Sequence, residues 1–182
     1  MESGYNGQTL KRKVRMTIQK TKRDYGGCEN SVNTVAVRKP RVLFMCTHNS
    51  ARSQMAEGYL RAHYSDLFEA ASAGNDPRGV HPIAIAVMDE IGIDISGQRS
   101  KLVDEFFSAG IDIVVKVCDC EHETCPFFPG VLETIHAGFP DPSAFDGTPR
   151  ERTAQFRQVR DEITAWIDQS FVPGYGQLRI RL

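Results

Sequence analysis

RVLFMCTHNSARSQMAEGYLRAH, residues 41–63, is the stretch whose reading decides the fold. Val42 to Met45 form a short apolar run and Thr47 to Ser50 a small polar turn, after which Met55, Ala56, Tyr59, Leu60 and His63 recur at helical spacing. This predicts a strand, a loop and a helix. Outward from it, Phe68 to Ala73 reads as a second short strand closed by Gly74, Asn75, Asp76 and Pro77. Ile83, Ile85, Ala86, Val87, Met88 and Ile91 predict a mostly buried helix ending at Gly92, and Lys101 to Ala109 a further amphipathic helix ending at Gly110. Ile111 to Val117 is the strongest strand, its β-branched run having the continuous character of a strand covered on both faces. Residues 118–134 form a long irregular stretch leading to a short strand at Ile135 to Ala137. A last helix over about 149–170 places Phe156, Val159, Ile163 and Trp166 on one face. Strands alternating with helices predict a doubly wound α/β fold with about four strands, its ligand site beyond their carboxyl ends.

The chain has 182 residues, 41% hydrophobic and 25% charged, with a formal net charge of −1. That composition excludes a disordered or fibrous protein, and the apolar runs fall far short of the roughly 18–20 residues that span a bilayer. A balanced charge supplies no global field for nucleic acid or an anionic membrane, so neither is an expected partner. Residues 1–40 nevertheless hold nine Lys/Arg and three Asp/Glu, against thirteen and twenty in the remainder. With no block of periodic apolar residues there, residues 1–39 read as a basic flexible arm, 40–172 as the folded domain and 173–182 as a tail. No secretory h-region is visible in residues 1–30, so a cytoplasmic protein with reduced thiols is expected. Of the five cysteines, Cys28 lies in the arm, Cys46 follows the first strand, and Cys118, Cys120 and Cys125 crowd into eight residues.

The chemistry is expected at Cys46, Thr47, His48, Asn49, Ser50, Ala51, Arg52 and Ser53, between strand and helix. Five residues between Cys46 and Arg52 suffice to wrap one turn of backbone whose N–H groups converge on a tetrahedral oxyanion. Arg52 closes that ring, its planar fork able to hold two oxygens at once. The same dipoles and charge favour the thiolate of Cys46, with Ser53 placed to donate to it. Asp141, between Pro140 and Pro142, is the candidate general acid for the leaving oxygen.

With these residues assembled, the chain resembles the low-molecular-weight protein tyrosine phosphatase superfamily, and within it the arsenate reductases that draw electrons from thioredoxin. The resemblance spans about residues 41–170. CTHNSARSQMAEG (Cys46 to Gly58) is similar to that family's anion loop, GIDIS (Gly92 to Ser96) to its following helix–turn segment, and GFPDPS (Gly138 to Ser143) to its acid loop. The resemblance implies a four-stranded parallel sheet flanked by helices, flavodoxin-like in its winding. It also implies a thiol relay: Cys46 attacks arsenate, Cys118 attacks Cys46 to expel arsenite, and Cys125 attacks Cys118 in turn. Cys120 is an extra thiol, and Cys118-x-Cys120 resembles a branch that finishes the cycle with glutathione and glutaredoxin. Cys125 is favoured because its spacing and the following Pro126 resemble the thioredoxin-linked branch. The expected reductant is thus an external dithiol, thioredoxin or glutathione/glutaredoxin, with no bound cofactor and a monomeric chain.

The alternative is a small phosphatase using Cys46, Arg52 and Asp141, for which Cys118 and Cys125 are dispensable; Ser143 argues against it, standing where an aromatic residue would hold a phosphotyrosine ring. A third possibility is a non-enzymatic oxyanion-binding or redox-sensing module. Zinc on Cys118, Cys120, Cys125 and His122 is disfavoured by their spacing. Some thioredoxin-linked members bind potassium through residues that include Asn49 and Glu57, but Gln98-Arg99-Ser100-Lys101 is basic here, so no metal is expected. His63, His81 and His136 read as surface or satisfied histidines.

Overall fold

A computed structural model of the chain describes residues 38–118, 128 and 130–175. The arm expected over 1–39 therefore lies almost wholly outside the described residues, as do Cys28, Cys120 and Cys125. Strands β1 (Arg41–Cys46), β2 (Glu69–Gly74), β3 (Ile113–Cys118) and β4 (Glu133–Phe139) form one parallel sheet in the order β2-β1-β3-β4. Helices α1 (Arg52–Tyr64), α2 (Pro82–Asp89) and α3 (Pro149–Trp166) lie between or after them. The α/β class, the four strands and their parallel winding are those expected.

Alternation along the strands builds two apolar layers. Val42, Phe44, Ile113, Val115 and Val117 pack with Met55 and Leu60 of α1, Val87 and Met88 of α2, and Phe156, Val159 and Ile163 of α3. Leu43, Met45 and Val114 face the other way, onto Val103, Ile111 and Phe128. Because β2 lies on one side of β1 and β3 on the other, the winding of successive strands across the sheet reverses between β1 and β3, which stay parallel. A crevice opens beyond the carboxyl ends of two such strands, and here they end in Cys46 and Cys118.

Two elements differ from expectation. The helix expected over Lys101 to Ala109 is only a 3₁₀ turn, Val103–Phe106. Its first residues are recruited by the sheet end: Gly74 N–H donates to Lys101 C=O at 2.9 Å, Leu102 bridges to Gly74, and Lys101 N–H donates to Asn49 Oδ1 at 2.7 Å. The last helix, expected to stop near 170 before a tail at 173, instead continues. A π-turn, Ile167–Phe171, leads into α4 (Val172–Tyr175) because Phe171 is fully buried against Phe44, Phe68 and Trp166. Among the described residues, no helix is long and apolar enough to cross a membrane.

Candidate active site

Cys46 ends β1 and Arg52 opens α1, with the intervening loop wound tightly between them. Four consecutive carbonyls of that loop are taken by their surroundings. Thr47 C=O accepts from Asp76 N–H (2.9 Å), His48 C=O from Arg78 N–H (3.1 Å) and Ser50 C=O from His81 N–H (2.9 Å). Asn49 C=O accepts from Gln54 Nε2 (3.0 Å) and Ser100 Oγ (2.5 Å). In planar trans peptides each C=O is opposed by the next N–H, so these outward carbonyls turn the N–H groups of His48, Asn49, Ser50 and Ala51 inward. Asn49 supplies the curl with φ of 46°, a left-handed conformation that asparagine tolerates better than most residues. Cys46, His48, Ser50, Ala51, Arg52, Asp141 and Ser143 line the resulting pocket.

Charge is concentrated where an oxyanion would sit. Arg52 is 4% exposed; its Nη1 donates to Phe139 C=O at 2.9 Å and its Nη2 meets Asp141 Oδ2 at 3.1 Å. Asp141 in turn caps the 3₁₀ turn Pro142–Ala144, its Oδ1 accepting from Ser143 N–H at 2.9 Å. Pro142 thus starts a turn that aims the carboxyl back at the loop. His48 faces Asp76, its Nδ1 lying 3.3 Å from Oδ2, so its ring is occupied outside the ring of amides while its backbone lines the pocket. Cys46 Sγ lies 2.9 Å from Ser53 Oγ.

Cys118 joins the core layer that contains Cys46 through an irregularity. In strict alternation it would share a face with Val114, but the pairing of β3 with β4 shifts register between Lys116 and Cys118. Such bulges re-aim side chains. Cys118 consequently packs in the cluster that contains Val117 and Cys46, both cysteines buried as thiols. Cys46, Arg52, Asp141 and Ser53 are therefore brought together, with Cys118 at the neighbouring strand end; Cys120, Cys125 and His122 lie outside the described residues. Among the described residues, no three His, Cys, Asp or Glu side chains gather as a metal centre.

Behind the pocket Ser72 links Asn49, Ser53, Glu57 and Lys101 into a buried network whose connections the sequence reading did not contain. Asn49 Nδ2 donates to Ser53 Oγ and to Ser72 Oγ, each at 2.8 Å, and Ser72 Oγ donates to the Glu57 carboxylate. Lys101 Nζ lies 3.1 Å from Glu57 Oε2 and donates to Arg99 C=O at 3.0 Å. Potassium, which some thioredoxin-linked members of the resembled family bind through residues that include Asn49 and Glu57, does not fit this residue set. A second cation about 4 Å from that ammonium meets roughly 4 kcal/mol of repulsion at an effective dielectric near 20. Ser72 comes from a remote segment, so only the fold reveals that it joins Asn49, Glu57 and Lys101.

Residues 41–172 match the model of the low molecular weight phosphotyrosine protein phosphatase family. The chain belongs to that family. Within it, the arsenate reductase of Halalkalibacterium halodurans is 44% identical over 127 residues, 70% of this chain and 91% of that protein. A solved arsenate reductase in the phosphate-binding state superposes with a TM-score of 0.59 at 31% identity, covering 71% of this chain and 94% of its own. The thioredoxin-dependent arsenate reductase of Corynebacterium glutamicum gives a TM-score of 0.53 at 26% identity, covering 75% and 65%. The match begins at the first residue of β1 and so includes every described element of the site.

Proposed function

We propose that this family member is an arsenate reductase, converting arsenate to arsenite by a thiol relay. The observation that carries this reading is the register shift that turns Cys118 onto the face of Cys46 at adjacent strand ends; hydrolysis of a phosphoester needs no such thiol. Arsenate sits in the loop amides with two oxygens on Arg52. The Cys46 thiolate attacks arsenic while Asp141 protonates the departing oxygen, leaving as water, and a sulfur–arsenic bond forms. The Cys118 thiolate then attacks Cys46 sulfur: a disulfide forms, the sulfur–arsenic bond breaks, and its electron pair stays on arsenic, which leaves as arsenite.

Cys125, or Cys120, attacks Cys118 to release Cys46 and carry the disulfide outward. An external dithiol protein of the thioredoxin or glutaredoxin type reduces it, so no cofactor is bound, and such chemistry suits the reducing cytoplasm. Similarity to relatives named arsenate reductase over most of the domain supports the substrate, and one thioredoxin-dependent relative supports the donor.

The test is arsenate-dependent NADPH oxidation, run once with thioredoxin and thioredoxin reductase and once with glutathione, glutaredoxin and glutathione reductase. Turnover with either is expected, and the system that works distinguishes Cys125 from Cys120 as the resolving thiol. Turnover with neither, beside brisk hydrolysis of an aryl phosphate, would make the chain a phosphatase.

A further inference from the structure

Glu57 is the acidic member of the buried network behind Cys46, only 3% exposed in the second turn of α1. Two cations meet it: Arg61 of the same helix on Oε1, half exposed to solvent, and Lys101 on Oε2, 12% exposed. Lys101 touches the network a second time, because its backbone N–H donates to Asn49 Oδ1 at 2.7 Å. Gln54 Nε2 donates to that oxygen as well, at 3.0 Å, so the Asn49 amide is locked with its nitrogen toward the serines.

The donors radiate from the Asn49 amide nitrogen along two arms, one to Glu57 and one to Cys46. Ser72 gives its proton to Glu57 and accepts from Asn49; Ser53 accepts from Asn49, which leaves its hydroxyl proton to point at Cys46 Sγ. The arm through Ser72 ends on a carboxylate, which obliges Ser72 to accept from Asn49 and so keeps the amide nitrogen turned toward both serines. A buried carboxylate needs a partner of opposite charge. We propose that Lys101 is a positioning residue: its ammonium is a built-in counter-cation for Glu57 that holds the Ser72–Asn49–Ser53 chain in the sense that donates to the Cys46 thiolate, in place of a bound metal ion.

Arg61 cannot substitute fully, since its exposed guanidinium is screened by water. Other charged or titratable groups around Cys46 lie on the pocket side: Arg52 and Asp141 on the loop mouth, and His48 facing Asp76. Lys101 acts from behind, through Ser53 alone. The proposal shares with the arsenate reading only the use of Cys46 as a thiolate, so its test avoids arsenate.

The rate of Cys46 alkylation by iodoacetamide is followed against pH in the full chain, resolved by peptide mass spectrometry. For Lys101→Ala, the pH of half-maximal rate is expected to rise by about one unit, and the rate at pH values well below the midpoint to fall about tenfold. Methylammonium chloride is expected to restore most of the loss in Lys101→Ala and none in the bulkier Lys101→Met. The unmodified protein is expected to alkylate identically in potassium, sodium and tetramethylammonium chloride of equal ionic strength. A wild-type pH profile in folded Lys101→Ala overturns the proposal, as does slowing in both variants that methylammonium leaves untouched, which would mark Lys101 as merely structural. Potassium-specific acceleration of the unmodified protein overturns it even if neither variant folds. Failure of arsenate turnover with this alkylation pattern intact would sink only the assigned substrate.

Discussion

Arg52 has two tasks that a guanidinium alone combines. One nitrogen anchors it to the Phe139 carbonyl and another to Asp141, while its planar fork borders the pocket. Lysine carries the same charge but no fork, and one ammonium cannot hold both the acid loop and two anion oxygens. Arg52→Lys is therefore expected to lower kcat/KM for arsenate by about 100-fold or more, read in coupled NADPH oxidation, with little change in melting temperature. Cys118 does something different. It lies on the Cys46 face but outside the ring of loop amides, so its removal spares anion binding and first attack. Cys118→Ser is expected to end multiple turnover while leaving iodoacetamide modification of Cys46, and its protection by arsenate, as in the unmodified protein. Sustained arsenite release by this variant would exclude the relay.

The loop itself is held from outside, and the end of β2 is its tightest support. A Cβ on Gly74 would lie 2.7 Å from both Asn49 N and Thr47 O and 2.8 Å from Cys46 O, all backbone atoms that cannot swing aside. Gly74→Ala is expected to cost about 1–3 kcal/mol in urea unfolding and to lose arsenate binding disproportionately, because the atoms displaced belong to the anion loop. Phe171 makes the corresponding point for the C-terminal helix. Phe171→Ala should destabilise by about 3–5 kcal/mol, as truncation of a fully buried aromatic does, without altering the affinity of the folded protein for arsenate. These elements also show what the sequence could reveal. Cys46 to Ser53 was readable because strand, loop and helix start are contiguous and their periodicities are local. Phe171 was missed because the π-turn that buries it breaks the three-and-four spacing of α3. Lys101 and Leu102 read as helix because their pull toward Asn49 and Gly74 comes from strand ends remote in sequence.

Where these parts meet, His81 ties the sheet end to both helical neighbours. Its backbone N–H holds Ser50 of the anion loop, its Nδ1 accepts from Ile83 N–H at 3.1 Å to cap α2, and its ring packs on Phe156 of α3 at a centroid distance of 4.6 Å. Burial first, and then Arg152, push its affinity for protons below the usual 6.5, with Asp141 pulling the other way. The neutral ring is also the one the cap requires, since an imidazolium has no lone pair at Nδ1. The unfolded chain therefore takes up a proton near 6.5 while the folded one resists until lower pH. The stability that His81 contributes is complete above that value and is lost as pH falls through the folded one. Asp112 does not confuse this window. Although burial works against it, hydrogen bonds from Arg38 and the Arg41 N–H hold its carboxyl below the usual 3.8, so its contribution survives until stronger acid. Urea unfolding between pH 8 and pH 5 is expected to show stability declining from about pH 6.5 downward. His81→Asn keeps a side-chain acceptor for the Ile83 N–H but does not titrate, and it should flatten that decline. Since Ser50 hangs from the same residue, arsenate protection of Cys46 should weaken over the same pH interval in the unmodified protein and not in the variant. An unchanged slope in His81→Asn would assign the acid sensitivity to another group and detach α2 from the anion loop.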